Sequence, residues 1–362
     1  MTSPSSQSWQ EYCTQELARV NPLLHHLGFR LDEQQVHLGG ERAVISGRKL
    51  VLVGRRLSDK KRVVIKASSS HEGKREMELE HTCRAVLDKI QFTSTAFLSP
   101  EELIWHEEDS LLLSITAFLE HDCPFLERPF KEQFFLALKA FEAQESAHAT
   151  TYEHTRVIRG TFRVFETETY LRQFHTYQET VVTHFPDDTA LHERMRRAEH
   201  ELNKNRLRME QYNGFLTHGD FVPHNIRIIG RDIYLLDHYD IRFGNKYDGW
   251  ARFLNFMLLH HHELEGALLS YLEKNRGSEE LEALHLMRIY RLGELIWYYV
   301  NRLQKSTGDL QILDRARVSF WGDALEAALH KTSLRLERIH AYQIVRDSLR
   351  SDEEKQRQKG LH

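Results

Sequence analysis

Long apolar runs are missing from this 362-residue chain. No stretch approaches the roughly 20 residues that crossing a bilayer requires, so no membrane span is expected. Cysteine is scarce as well. Cys13, Cys83 and Cys123 are odd in number, far apart and without a CxxC pair, which argues against a disulfide framework and against a zinc site. Nor is there an excess of basic charge. The formal net charge is −4, whereas binding a phosphate backbone needs a concentrated basic face, so no nucleic-acid partner is expected. The local basic group GRRLSDKKR reads as a solvated strand edge and turn. The opening MTSPSSQSWQEYCTQ lacks the apolar core of a signal peptide, and the cytoplasm is the expected compartment. No internal repeat and no low-complexity block occurs.

What is present is an ordinary globular balance, 41% hydrophobic and 28% charged, long enough for one large domain or two. WQEYCTQELARVNPLLHHLGF reads as one or two short helices stopping near Gly28. From Gln35 to Ala67 the texture becomes β-branched and alternating, and ERAVI, RKLVLVGRR and RVVIKAS read as three antiparallel strands. EGKREMELEHTCRAVLDKI follows as a helix with Leu79, Cys83, Val86, Leu87 and Ile90 on one stripe. Two more strands, EELIWHE and SLLLSITAFLE, complete the first part. Beyond Cys123 the chain reads as helix after helix, interrupted by two short strands, NIRII and IYLLD, around the turn GRD. The last dozen residues, SDEEKQRQKGLH, carry no apolar face.

The fold class expected is therefore α+β in two lobes. An N-lobe over residues 1–117 holds a small antiparallel sheet with one main helix. A larger, mostly helical C-lobe spans 118–350, and 351–362 is read as a disordered tail. A cleft near Thr116 to Pro124 would separate the lobes, which is where small ligands usually sit.

One segment is chemically dense. In THGDFVPHNIRIIGRDIYLLDHYD, His218, Gly219, Asp220 and Asn225 form HGDxxxxN, and Asp237 lies twelve residues beyond Asn225. Buried carboxylates and amides need partners, so such a cluster is either a structural hydrogen-bond network or a site for a cation or a reacting hydroxyl. A strand, a tight turn and a returning strand would bring Asp237 beside Asn225, with Asp220 at the rim. That arrangement suits phosphoryl transfer, where the protein mainly positions reactants and neutralises charge. A hard Mg²⁺ ion takes carboxylate and amide oxygens, here Asp237 and Asn225, and completes its shell with phosphate and water. Asp220 would orient a substrate hydroxyl and accept its proton. Lys66, inside the apolar strand RVVIKAS, would meet the nucleotide phosphates, with Glu76 or Glu80 on the next helix as counter-charge.

At these residues the chain resembles the aminoglycoside phosphotransferase and choline kinase superfamily, distant relatives of the protein kinases. HGDFVPHN and LLDHYD resemble its catalytic and metal-binding loops. The resemblance implies a bilobal protein-kinase-like fold, ATP and Mg²⁺ as cofactors, Asp220 as catalytic base, Asn225 and Asp237 as magnesium ligands and His218 as support of the catalytic loop. Tyr247 and Asp248 in KYDGWARF resemble a later YDLA segment, whose aspartate braces that loop. VVIK resembles the strand of the phosphate-binding lysine, and REMELE the helix of its partner glutamate, which favours Glu76. SLLLSITAFLE fits the strand leading into an adenine-binding hinge, with Ile115 as gatekeeper and Phe118 just beyond. No GxGxxG is present; Ser46 and Gly47 would form the phosphate-covering turn, with Gly39 and Gly40 as the alternative.

The function these readings imply is ATP- and Mg²⁺-dependent phosphorylation of a hydroxyl on a small molecule, aminoglycoside-, amino-alcohol- or sugar-like. Glu263 and Glu265 would give an acidic lining suited to a cationic acceptor. A kinase acting on a protein side chain and a non-catalytic, pseudokinase-like nucleotide-binding scaffold are the rival readings. His260, His261 and His262 are not expected to bind metal, because consecutive helical residues point about 100° apart.

Overall fold

Trp9, Tyr12, Cys13, Val20 and Leu24 recur at helical spacing, and in the computed structural model they form the buried stripe of one continuous helix, α1 (Trp9–His26). The structure describes residues 9–38, 48–90, 98–120, 123–148, 151–230, 232–352 and 355. After α1 come the strands β1 (Phe29–Leu31), β2 (Leu50–Arg56) and β3 (Arg62–Ser68), the helix α2 (His71–Leu87), and the strands β4 (Glu102–Glu108) and β5 (Leu111–Ala117). The strands form one antiparallel sheet in the order β1-β2-β3-β5-β4. The edge beside β2 is taken by Phe29–Leu31, a strand too short to show alternation; the strand expected at ERAVI lies outside the described residues, as do Ser46, Gly47, Gly39 and Gly40.

Strand alternation gives this sheet two unlike faces. Leu50, Leu52, Val63, Ile65, Ala67, Leu113 and Ile115 pack with α1 into one buried cluster. Lys66, one residue out of phase with Ile65, takes the opposite face. Helix α2 starts at an N-cap, where the Ser70 hydroxyl accepts from the Gly73 amide at 3.0 Å. Its Cys83 and Leu87 belong to the core of the helical lobe rather than to the sheet cluster, so α2 is docked on the second lobe and lies beneath the sheet.

The second lobe contains α3 (Phe130–Ser146), α4 (Tyr152–Thr161), β6 (Arg163–Val164), α5 (Thr167–His184), α6 (Thr189–Lys204), α7 (Arg206–Gln211), β7 (Asn213–His218), β8 (Ile226–Ile229), β9 (Asp232–Leu235), β10 (Ile241–Asn245), α8 (Asp248–His260), α9 (His262–Asn275), α10 (Ser278–Leu303), α11 (Gly308–Leu329) and α12 (Leu336–Leu349). His261 ends α8 and caps α9, its Nδ1 accepting from the Leu264 amide at 3.3 Å, and the turn after Leu329 separates α11 from α12. Strands β6, β10 and β7 make a small sheet, and β8 pairs β9 as a hairpin. Among the described residues no helix is long and apolar enough to cross a membrane.

Candidate active site

The hairpin β8–β9 sets the geometry of the site. Ile226 pairs Leu235, and one step further the Leu236 amide donates to the Asn225 carbonyl at 2.9 Å, so Asn225 and Asp237 leave the open end of the hairpin side by side. Ile226, Ile228 and Leu235 point into the lobe core, which anchors that end. Asp237 adopts a left-handed backbone conformation with φ 55°, sparsely populated for a residue other than glycine and a mark of a position fixed by its surroundings. The turn His238–Asp240 that follows packs on α2. Burial pushes His238 down to about 3, so this imidazole is neutral and adds no charge beside Asp237.

Strand β7 delivers the loop at the rim. His218 is fully buried. Its Nε2 lies 2.7 Å from the Leu236 carbonyl, a group that can only accept; Nδ1 is therefore the unprotonated nitrogen and accepts from the Asp220 amide at 3.2 Å. One imidazole thus ties the start of the loop to the end of the hairpin. Asn225 Nδ2 donates to the Asp220 carbonyl at 2.8 Å and to its Oδ2 at 3.0 Å. With the nitrogen turned to Asp220, the Asn225 amide oxygen is the atom left for an ion. Asp220 Oδ1 is held in turn by Arg252 on α8, at 3.0 Å from Nε and 2.9 Å from Nη2.

Below the loop lies a buried charge network. Asp240 accepts from Arg163 and, at 2.9 Å, from Arg242. Burial works against its ionised form, but the two guanidinium groups outweigh it and hold the carboxyl at about 2. Arg242 also lies 3.7 Å from Asp248, which accepts from Tyr170 at 2.8 Å and pairs with Arg291. The bracing aspartate therefore reaches the loop through Arg242 and Asp240. Gly219 accounts for the glycine of HGD: its amide donates to the Asp240 carbonyl, and a Cβ at this position would overlap Arg242 and the Asp240 carboxylate.

The other wall of the cleft is the Lys66 face of the sheet. Lys66 Nζ donates to both Glu80 oxygens, at 2.9 and 2.7 Å, and to Asp237 Oδ1 at 2.6 Å. Burial opposes the ammonium, yet Asp237 and Glu80 hold it above its ordinary value. Burial likewise opposes the Asp237 carboxylate, and Lys66 and Lys49 hold it below the usual range. Lysine and aspartate, 171 residues apart in sequence, are thus joined across the two lobes.

Three expectations need correction. The partner of Lys66 is Glu80, not Glu76: Glu76 is bound at 3.2 Å by Lys49, because α2 is set so that its next turn meets Lys66. Ile115 does not face the cleft. It pairs Ile65 and lies fully buried in the α1 cluster, whereas Thr116, opposite Val64, takes the Lys66 face. Glu265 is buried and ion-paired with Arg288 and His262, so it offers a cationic acceptor nothing, and Glu263 is exposed. Phe118 stands just past β5, its amide 3.2 Å from the Arg62 carbonyl and its ring 3.8 Å below the Arg62 guanidinium. The three histidines diverge: His260 stacks on Phe256 at 4.0 Å, His261 caps α9 and His262 pairs with Glu265.

Two residues that sequence reasoning passed over belong to the site. Arg252 follows Asp248 by four positions, and only the packing of α8 against the loop brings it to Asp220. Lys49 had a legible signal, since alternation puts it in phase with Val51, which pairs Lys66.

Among the described residues no three His, Cys, Asp or Glu side chains converge as a metal cage. One carboxylate and one amide oxygen instead match what Mg²⁺ takes from protein when phosphate and water complete its octahedron.

No family model matches the sequence, and no curated protein does. Solved structures do. A thermostable mutant of aminoglycoside phosphotransferase APH(4)-Ia, in ternary complex with ADP and hygromycin B, matches with a TM-score of 0.58 at 14% identity, over 86% of this chain and 98% of that one. Macrolide 2'-phosphotransferase type I gives 0.57 at 12% identity, over 88% and 99%. The GDP and kanamycin complex of APH(2'')-IIIa gives 0.53 at 11%, over 80% and 95%. Likeness at this level of identity establishes the fold: the chain has the bilobal, protein-kinase-like architecture that those phosphotransferases have.

Proposed function

We propose that this chain is a cytoplasmic, ATP- and Mg²⁺-dependent phosphotransferase that phosphorylates a hydroxyl group of a small molecule. The observation that carries the reading is the convergence of Lys66, Asp237, Asn225 and Asp220 on one cleft, with Lys66 Nζ 2.6 Å from Asp237 and Asn225 Nδ2 3.0 Å from Asp220. The fold adds support, since the matched structures include complexes with ADP and hygromycin B and with GDP and kanamycin.

In this reading Lys66 binds the phosphates of the donor, and Glu80 keeps the ammonium charged and aimed. Asn225 and Asp237 would hold magnesium, which supplies neutralisation of the phosphate oxygens when bound. Asp220 receives the proton of the acceptor hydroxyl as its oxygen attacks the γ-phosphorus and the bond from that phosphorus to the ADP oxygen breaks. Asn225 and Arg252 fix the rotation of the Asp220 carboxylate. His218 and the Asp240–Arg242–Asp248 network keep the loop from shifting, which matters because a displacement of about 1 Å can cost on the order of a hundredfold in rate. Glu265, paired with Arg288, is not a free carboxylate for a cationic acceptor.

The test is a screen of hydroxylated small molecules, aminoglycosides, amino alcohols and sugars, with ADP formation as readout. Turnover with one of them that is lost in Asp220→Ala supports the reading. Tight Mg·ATP binding with no acceptor turned over would favour the nucleotide-binding scaffold.

A further inference from the structure

The cleft holds a second lysine, Lys49. Leu50 and Leu52 of β2 point into the α1 cluster, so Val51 and Val53 take the other face, and Lys49, directly before β2, continues their phase. Val51 pairs Lys66, which places both lysines on the same side of the sheet. The Lys49 side chain is only 15% exposed. Its Nζ lies 3.2 Å from Glu76 and 4.4 Å from the centre of the Tyr239 ring, two residues past Asp237. Its charge acts on the carboxyls of Asp237 and Glu80 as well.

Glu76 and Glu80 stand one helical turn apart on α2; Glu76 holds Lys49 beside the Tyr239 ring, and Glu80 holds Lys66 against Asp237. Glu76, Glu80 and Asp237 keep both ammonium groups charged on the cleft face of the sheet, where a polyphosphate would meet them. A lysine that merely covers apolar surface would instead keep its head in water, which burial to this extent contradicts. We infer that Lys49 is a second phosphate-binding lysine, contacting the β- or γ-phosphate of a nucleoside triphosphate, with Glu76 as its positioning residue just as Glu80 positions Lys66. This rests on the phosphotransferase reading and extends it: the donor site grips its phosphates by two lysine–glutamate pairs, and Lys49 leaves the Tyr239 ring to do so.

The experiment is calorimetric titration of AMP and of ATP, each with magnesium, into wild type, Lys49→Met, Lys49→Arg and Lys66→Met. Lys49→Met is expected to weaken ATP roughly ten- to a hundredfold, as loss of a charge-assisted hydrogen bond does, while AMP stays within about twofold and Lys49→Arg recovers most of the loss. Equal weakening of AMP and ATP would make Lys49 a structural support of α2 and overturn the inference. Loss of ATP binding in Lys66→Met but not in Lys49→Met would overturn it while leaving the phosphotransferase reading intact. Wild type that binds no ATP would overturn both.

Discussion

Arg252 grips the Asp220 carboxylate at Oδ1 with two nitrogens, at 3.0 and 2.9 Å, while Asn225 holds Oδ2 at 3.0 Å from the other side. A carboxylate fixed at both oxygens keeps one orientation toward an incoming hydroxyl. Arg252→Gln is predicted to lower kcat roughly ten- to a hundredfold with little change in the dissociation constant of ATP. Arg252→Lys, which keeps the charge but loses the planar two-nitrogen contact, should recover only part. Kinetics with the acceptor found by screening, together with nucleotide titration, separates the two effects. A parallel loss of ATP affinity would place Arg252 in donor binding instead.

Glu80 and Glu76 should differ in what their removal costs. The Glu80 side chain is 6% exposed against 19% for Glu76, and both of its oxygens accept from Lys66. Glu80→Gln is predicted to destabilise the protein by about 1–3 kcal/mol, the usual range for weakening a buried charged hydrogen bond. For Glu76→Gln the cost should be smaller, because water reaches this carboxylate more readily. Urea unfolding of both variants measures the difference, and the reverse order would mean that Lys66 is held chiefly by Asp237.

A pH dependence follows from His285 on α10. Burial, with Lys331 and Arg288 nearby, pushes this imidazole down to about 4, against the weaker pull of Glu201 and Glu282. Its folded pKa is depressed, so the unfolded chain takes up a proton first as pH falls below about 6.5. The stability tied to the neutral ring is complete above that pH and is lost between about 6.5 and 4, by at most about 1.4 kcal/mol per pH unit. His285→Gln should flatten that slope in urea midpoints taken at pH 7, 6, 5 and 4.5. An unchanged slope would show that the ring is solvated.

The sequence carries the hairpin half of the candidate site more clearly than the Lys66 half. Asn225 and Asp237 are related by a hairpin, whose register is local, so their spacing alone puts them together. Lys66 stands out as a lysine in an apolar strand. Its partner does not, because Glu76 and Glu80 share a helical face, and the choice depends on how α2 slides along β3. That placement is set by packing of Met77, Cys83 and Leu87. Ile115 was a question of strand phase: its register opposite Ile65 puts it in the α1 core, while its position near the end of β5 points only to the neighbourhood of the hinge. Arg252 meets Asp220 through tertiary packing that no short spacing encodes. The acidic run around Glu265 misleads for a related reason, since Arg288, which neutralises it, arrives from a different helix.

The central claim is that Asp237 and Lys66 form the floor and roof of a magnesium–nucleotide site, and thermal unfolding with and without Mg·ATP tests it most directly. A ligand that binds only the folded state adds roughly 2.7 kcal/mol at about a hundredfold excess over its dissociation constant, which is readily visible in a melt. The account predicts a rise in Tm for wild type that needs both magnesium and ATP and that disappears in Asp237→Ala. No rise in wild type, or the same rise in the variant, would contradict it.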